Sequence, residues 1–399
     1  MRILLLCNKS PYPPKEGGPI AMNMIIEGLI AAGHTVKVMA VNSDKYHVSI
    51  SRIPVEYVRK TGIELIDVDL RIRPWQAFLN VFTGLSYHVE RFRSEHFAGR
   101  LAEILKAEKF DVVQFEMLYM SAYLNVVRRY SNAKAVLRAH NIEHLIWERI
   151  AATTSNPVKK FYIRHLARTL KKYELSIINQ FDGLVTISED DLKFFMQSGC
   201  SVPGTSVTFG MKMEDYTEPA GEEEFPSLFS IGAMNWIPNV EGVRWFLQNV
   251  WPDVHRQFPT LKYYIAGRGI PLWLINTEYP NVVIEGEVEN ALQFMKSRGV
   301  MIVPLFSGSG IRIKIIEAMA AGKAIISTTI GAEGILYTRG ENIMIADTPC
   351  EFFEMISACV ENHDLCKKIG RNASGLISLH YNWDKIITKL LAFYQIIGV

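Results

Sequence analysis

The stretch SGSGIRIKIIEAMAAGKAIIST, residues 307–328, sets Arg312, Lys314 and Glu317 directly behind a turn that contains Gly308 and Gly310. Ile311, Ile315, Ile316, Met319 and Ala320 recur at helical spacing and make an apolar face. A helix start offers unpaired backbone N–H groups and the positive end of the dipole, so it favours an anion. Two further cations there suit a phosphate or diphosphate, and the acid that follows must then bind something else. The turn is not a P-loop, which needs its second glycine followed at once by Lys and then Ser or Thr. A solvated Arg-x-Lys-x-x-Glu face, supported by side-chain pairs three apart, is the alternative the spacing leaves open.

Other residues offer themselves for chemistry. His140 closes the run KAVLRAH, flanked by Arg138 and Asn141, at what would be the carboxyl end of a strand. Gly17 and Gly18 follow the first apolar run in the long turn NKSPYPPKEGGPI, which lacks the G-x-G-x-x-G spacing of a dinucleotide fingerprint. The acidic runs DVD (67–69) and EDD (189–191) invite a metal reading. Ser188 before the second, however, makes it an N-cap followed by acids in their favoured place. The five cysteines show no CxxC pair, so reduced thiols in a cytoplasmic protein are expected and structural zinc is not.

The elements that must position these residues follow from the patterning. In the first half, strand-like runs at 2–7, 36–41, 63–68, 111–115, 134–139 and 183–188 alternate with amphipathic segments at 19–32, 94–107, 119–130 and 157–180. A second series has strands at 227–232, 261–267, 281–286, 299–304, 323–328 and 342–347. Its helices are expected over 239–257, 290–297, 311–321, 350–361 and 364–378. Such alternation predicts an α/β chain of two doubly wound, mostly parallel sheets, with ligands bound beyond the carboxyl ends of the strands. The Gly-, Pro- and acid-rich stretch between the series has a linker composition. The expected division is an N-terminal domain over 1–208, a linker over 209–226 and a C-terminal domain over 227–382. A last amphipathic helix over 383–399 packs back on the first domain.

The 399 residues are 49% hydrophobic and 21% charged, ordinary for a soluble globular chain. No apolar run reaches the roughly 18–20 residues that a membrane span needs. The net charge is +2, but residues 1–205 carry 27 Lys+Arg against 20 Asp+Glu, and the remainder 16 against 21. The basic half suits an anionic surface or acceptor. VKKFYIRHLARTLKKYE (158–174) is a basic amphipathic helix, and RIRPWQAFLNVFTG (71–84) adds aromatics and arginines. An anionic membrane surface, at the inner face of the membrane, is therefore a candidate partner. Nucleic acid is not, since no binding module accompanies the basic patch.

The block PLFSGSGIRIKIIEAMAAGKAIISTTIGAEGI resembles the nucleotide-sugar site of retaining GT-B glycosyltransferases, family 4 or "group 1". KEGGPI, RAHNIEH, SIGAMNWIPNVEG and YYIAGRG agree with it in type and order. The resemblance implies two Rossmann-like domains facing a central cleft. It implies a nucleotide diphosphate sugar as donor substrate, no cofactor and no metal, and a glycan or lipid-linked acceptor. Glu317 would hydrogen-bond the ribose, while Arg312 and Lys314 lie near the diphosphate and stabilise it as it departs. Backbone groups of Ser309, Gly310 and Ile311 would meet sugar or phosphate. Ser309 stands where many members carry an acid that contacts the donor sugar, which leaves the sugar undefined. Gly17 and Gly18 would approach the donor phosphate and reacting sugar, and a neutral His140, with Asn141 beside it, the sugar near its reacting carbon. Asn235 would touch phosphate or sugar, Gly267 would shape the base pocket, and the base would be held near Val288. A nucleotide-sugar epimerase of the same fold, or a non-catalytic glycan- or partner-binding relative, are the alternatives.

Overall fold

The computed structural model describes residues 1–14, 17–71, 84–217, 221–308 and 311–399. Ser309 and Gly310, and most of the stretch 71–84, lie outside the described residues. The chain divides into two compact units, one of Met1–Gly210 with Trp383–Val399, the other of Met211–Asn382.

The first unit is built on seven parallel strands: β1 (Arg2–Cys7), β2 (Thr35–Asn42), β3 (Glu64–Asp67), β4 (Val112–Glu116), β5 (Lys134–Ala139), β6 (Gly183–Thr186) and β7 (Gly204–Ser206). Their order is β3-β2-β1-β4-β5-β6-β7, so the connection changes direction between β1 and β4. A parallel strand covered on both faces must be apolar throughout. RILLLC of β1 obeys, with Ile3 to Cys7 fully buried. β4 and β5 obey on one face only. Val113, Phe115, Leu137 and Ala139 join the main core, whereas the alternate positions carry Gln114, Glu116, Arg138 and, one step beyond β5, His140. In register, Cys7 lies beside Glu116 and Glu116 beside Arg138. The final helix, Trp383–Ile396, belongs to this unit. Trp383 Nε1 donates to the carbonyl of Met24, and Phe393 packs so closely on Gly183 that a Cβ there would meet its ring at 2.7 Å.

The second unit has six parallel strands: β8 (Glu224–Ile231), β9 (Lys262–Ala266), β10 (Val282–Gly286), β11 (Arg298–Val303), β12 (Ala324–Ser327) and β13 (Met344–Ile345), in the order β10-β9-β8-β11-β12-β13. Its switch point lies between β8 and β11, where open sheets of this kind take their ligands. The α/β class, with two doubly wound parallel sheets, is the one the sequence predicts.

Several elements differ from their sequence expectation. The helix after β1 begins at Gly17, two residues before the segment expected from residue 19, because Pro19 falls in the first turn, where its missing N–H costs nothing. The region 239–257 is two helices, Ile237–Asn249 and Trp251–Gln257. Pro252 cannot donate into a continuous ladder. The stretch 209–226, of linker composition, carries the short helix Glu214–Thr217 and the first residues of β8. Residues 118–130 split into a tight 3₁₀ stretch, Leu118–Tyr123, and a helix, Leu124–Tyr130. The strand β7 has no counterpart in the expected pattern. Among the described residues, no helix is long and apolar enough to cross a membrane.

Candidate functional site

The loops after β8 and β11, on either side of the switch point, bring one set of predicted residues together in the second unit. Lys314 lies in the first turn of the helix Ile313–Ala320, whose apolar face Ile315, Ile316 and Met319 is buried. Its Nζ donates to Asn239 Oδ1 at 2.9 Å, and Asn239 in turn donates from Nδ2 to the carbonyl of Ala233. Gly232 backs this pair, for a Cβ there would lie 3.2 Å from Lys314 Nζ. Arg312 is buried, and its guanidinium stands 5.3 Å from the Trp236 ring centroid. Burial, with the Arg312 charge added, pushes the Lys314 ammonium down to about 7.

Glu317 is one turn farther along. Tyr216, from the short helix Glu214–Thr217, donates its hydroxyl to this carboxylate. Burial nevertheless pushes Glu317 up to about 7. Although three apart on one helix, Lys314 and Glu317 form no ion pair among the described residues. Both residues are half-buried, and each charge is partly desolvated without the other's help, a cost that a ligand with complementary groups would relieve.

Asn235 is exposed at the tip of the loop after β8, and Val288 is half-buried in the loop after β10. Ile311, half-buried, precedes the helix. Gly267 follows β9 at φ +146°, and a Cβ on it would lie 1.7 Å from the carbonyl oxygen of Gly232. Gly267→Ala is therefore expected to cost about 3 kcal/mol or more, strain and overlap combined. Urea unfolding checks this, and an unchanged midpoint would contradict the contact.

Gly17, Gly18, His140 and Asn141 belong to the first unit. Gly18 sits in the first helical turn rather than in a loop, with Lys9 against it: a Cβ would meet Lys9 Cε at 3.3 Å. His140 is joined by a residue that sequence reasoning passed over. Glu116, fully buried at the end of β4, receives His140 Nε2 at 2.6 Å and Arg138 Nη1 at 3.0 Å on Oε2, and Gln114 Nε2 at 2.6 Å on Oε1. Burial alone would raise this carboxyl. The Arg138 charge and the hydrogen bonds from His140 and Gln114 more than offset it and hold it at about 2. His140 itself is lowered, by burial first and by the Arg138 charge against the pull of Glu116, so it is neutral at pH 7. The signal in the sequence was a Gln-x-Glu ending an otherwise apolar parallel strand.

Among the described residues, Asn141 makes only a long 3.5 Å contact to Glu143, which Tyr119 also engages at 2.5 Å. Both acidic runs have structural work. Asp67 accepts from Asn42 and Asp69 from Arg71, while Ser188 caps the helix Glu189–Gln197 through Asp191 N.

Residues 225–362 match the family described as glycosyl transferases group 1. The "44.6 kDa protein in cps region" of Klebsiella pneumoniae is 23% identical over 402 residues, covering 98% of each chain. Among solved structures, HepE of Anabaena in complex with UDP aligns with TM-score 0.67 at 13% identity over 98% of this chain and 99% of its own. Sucrose-phosphate synthase of Thermosynechococcus elongatus aligns with TM-score 0.71 at 14% identity, over 99% and 98%. The likeness to these structures shows the fold, GT-B.

Proposed function

We propose that this protein transfers a sugar, with retention of configuration, from a nucleoside diphosphate sugar to a glycan or lipid-linked acceptor. The observation that carries the reading is the pair of separately desolvated charges on one helix, Lys314 beside Arg312 and Glu317 one turn on. Fixed cations and helix N–H groups stabilise a departing diphosphate without a metal ion, and a carboxylate at that distance accepts hydrogen bonds from the ribose. The structures of HepE in complex with UDP and with UDP-glucose support a uridine nucleotide as the first donor to try. The relative in a cps region favours polysaccharide biosynthesis.

A lipid-linked acceptor draws support from the helix Pro157–Ile177. It exposes Val158 at 77% and Phe161 at 74%, with Lys159, Arg164, Arg168, Lys171 and Lys172 exposed along its length. Apolar and cationic groups together suit an anionic lipid surface.

The full chain incubated with UDP-, GDP- and ADP-sugars is expected to be stabilised by at least one nucleotide and to release the free diphosphate. Interconversion of the sugar without release would favour the epimerase. Binding without either product would favour a non-catalytic relative.

A further inference from the structure

We infer that Glu116 is a positioning residue that locks His140 as the Nε2–H tautomer, so that this imidazole meets a ligand as a hydrogen-bond acceptor only. The inference rests on the glycosyltransferase reading for the identity of that ligand, but not for the tautomer.

The geometry is restrictive. Strand alternation places Gln114, Glu116, Arg138 and His140 on one face of β4 and β5. Glu116 Oε2 lies 2.6 Å from His140 Nε2, and a carboxylate at that distance accepts a proton-bearing nitrogen. Arg138 Nη1, also 3.3 Å from His140 Nε2, is itself a donor. Its hydrogen goes to Glu116 Oε2 at 3.0 Å, and its positive charge opposes a second proton on the ring. A neutral imidazole with its proton on Nε2 has its lone pair on Nδ1. Nδ1 makes no hydrogen bond among the described residues.

The carboxylate cannot turn away. Its other oxygen is held by Gln114 Nε2, and Gln114 Oε1 accepts from Tyr394 OH at 2.5 Å. The final helix thereby fixes the amide orientation of Gln114. Tyr394, Gln114, Glu116 and Arg138 are all essentially inaccessible to solvent. Fully buried, with three donors on its two oxygens and Arg138 neutralising its charge, Glu116 is out of reach of a substrate proton. It holds His140 rather than making it a strong base. A sugar bound against His140 must therefore offer a hydroxyl proton to Nδ1, and a donor carrying a hydrogen or an ether oxygen at that position would lose the bond.

The test is the ring itself. In the full chain labelled with ¹⁵N-histidine, with His140→Gln identifying the signals, His140 should show a protonated Nε2 and an unprotonated Nδ1 at pH 7. An Nδ1–H tautomer, or a doubly protonated ring, would overturn the inference whether or not the protein transfers sugar. Tyr394→Phe, which removes one hydroxyl and retains the ring packing, should mix the tautomers. It should also lower kcat on the order of tenfold, with donor KM little changed. Glu116→Gln should do so more strongly if its circular dichroism shows it folded. Both variants retaining the pure parent tautomer would also overturn the inference. Loss of turnover in the parent with the tautomer as stated would instead count against the transferase reading alone.

Discussion

Lys314→Met should weaken UDP binding about 10- to 100-fold and leave the protein at least as stable as its parent. The first half follows from removing a charge-assisted contact to diphosphate, worth roughly 1.5–3 kcal/mol. The second follows from the cost of the lysine. Its folded pKa of about 7 lies below the ordinary lysine value. Between about pH 7 and 10 the unfolded chain therefore binds more protons than the folded one, and stability rises with pH. Below about 7 the charge is present in both states and its burial cost is fully felt. Glu317 runs the other way. Raised to about 7, it costs nothing extra below the ordinary carboxylate range, and its burial penalty grows as pH climbs to about 7 and persists above it. Near neutrality both penalties are therefore present, and removing either relieves one. Bound diphosphate would keep Lys314 charged, so binding at pH 7.5 should take up protons in the parent and lose that uptake in Lys314→Met. Calorimetry in two buffers of different ionisation enthalpy measures both affinity and proton count. Parent-like affinity in a folded Lys314→Met would remove this residue from the phosphate site.

The sequence made the second unit's helix readable because its chemistry is contiguous: Arg312, Lys314 and Glu317 span six residues, and the apolar spacing around them announces a helix. Glu116 was not readable in that way. Its partner Arg138 is 22 positions away and the tyrosine that braces its neighbour is 280 positions from Gln114. Only the strand order brings them together. Tyr216 was hidden by the composition around it, since a four-residue helix in an acid-rich stretch leaves no periodic trace. The extent of the helix Glu143–Thr153 was hard to read for a different reason. It starts after Ile142, which cannot cap. Its first N–H groups are instead satisfied by the buried carboxylate of Glu174, which accepts from Glu143 N at 2.9 Å and His144 N at 3.1 Å. A cap supplied from 31 residues away is invisible to any local rule. What the strands themselves required, continuous apolar runs of four to eight residues between turns, was plain in both halves, and so was the fold class.

Arg138→Met should destabilise the first unit by about 3–5 kcal/mol, the range found when one partner of a buried ion pair is removed. Arg138 and Glu116 are both 0% exposed, with Nη1 and Oε2 3.0 Å apart. Methionine fills much of the volume, so the loss comes chiefly from leaving a carboxylate without its counter-charge. The neutral His140 and the Gln114 amide solvate it but bring no charge. The pH dependence gives the mechanism a sign. In the parent, Glu116 at about 2 lies below the ordinary carboxylate range. Its stabilisation is thus complete above about pH 4.3 and lost as the pH falls towards 2. In Arg138→Met burial dominates and the carboxyl moves above its unfolded value, so stability should fall as pH rises from about 4 to 7. Adding Glu116→Gln removes the stranded charge and should recover most of the loss and abolish that slope, because the cost belongs to the pair rather than to either residue. Urea unfolding of the four proteins at pH 5 and 7, followed through Trp147 in the first unit, completes the cycle. A single variant that loses under 1 kcal/mol, or a double variant no better than the single, would mean that Glu116 is not held by Arg138, and that the support for His140 must come from elsewhere.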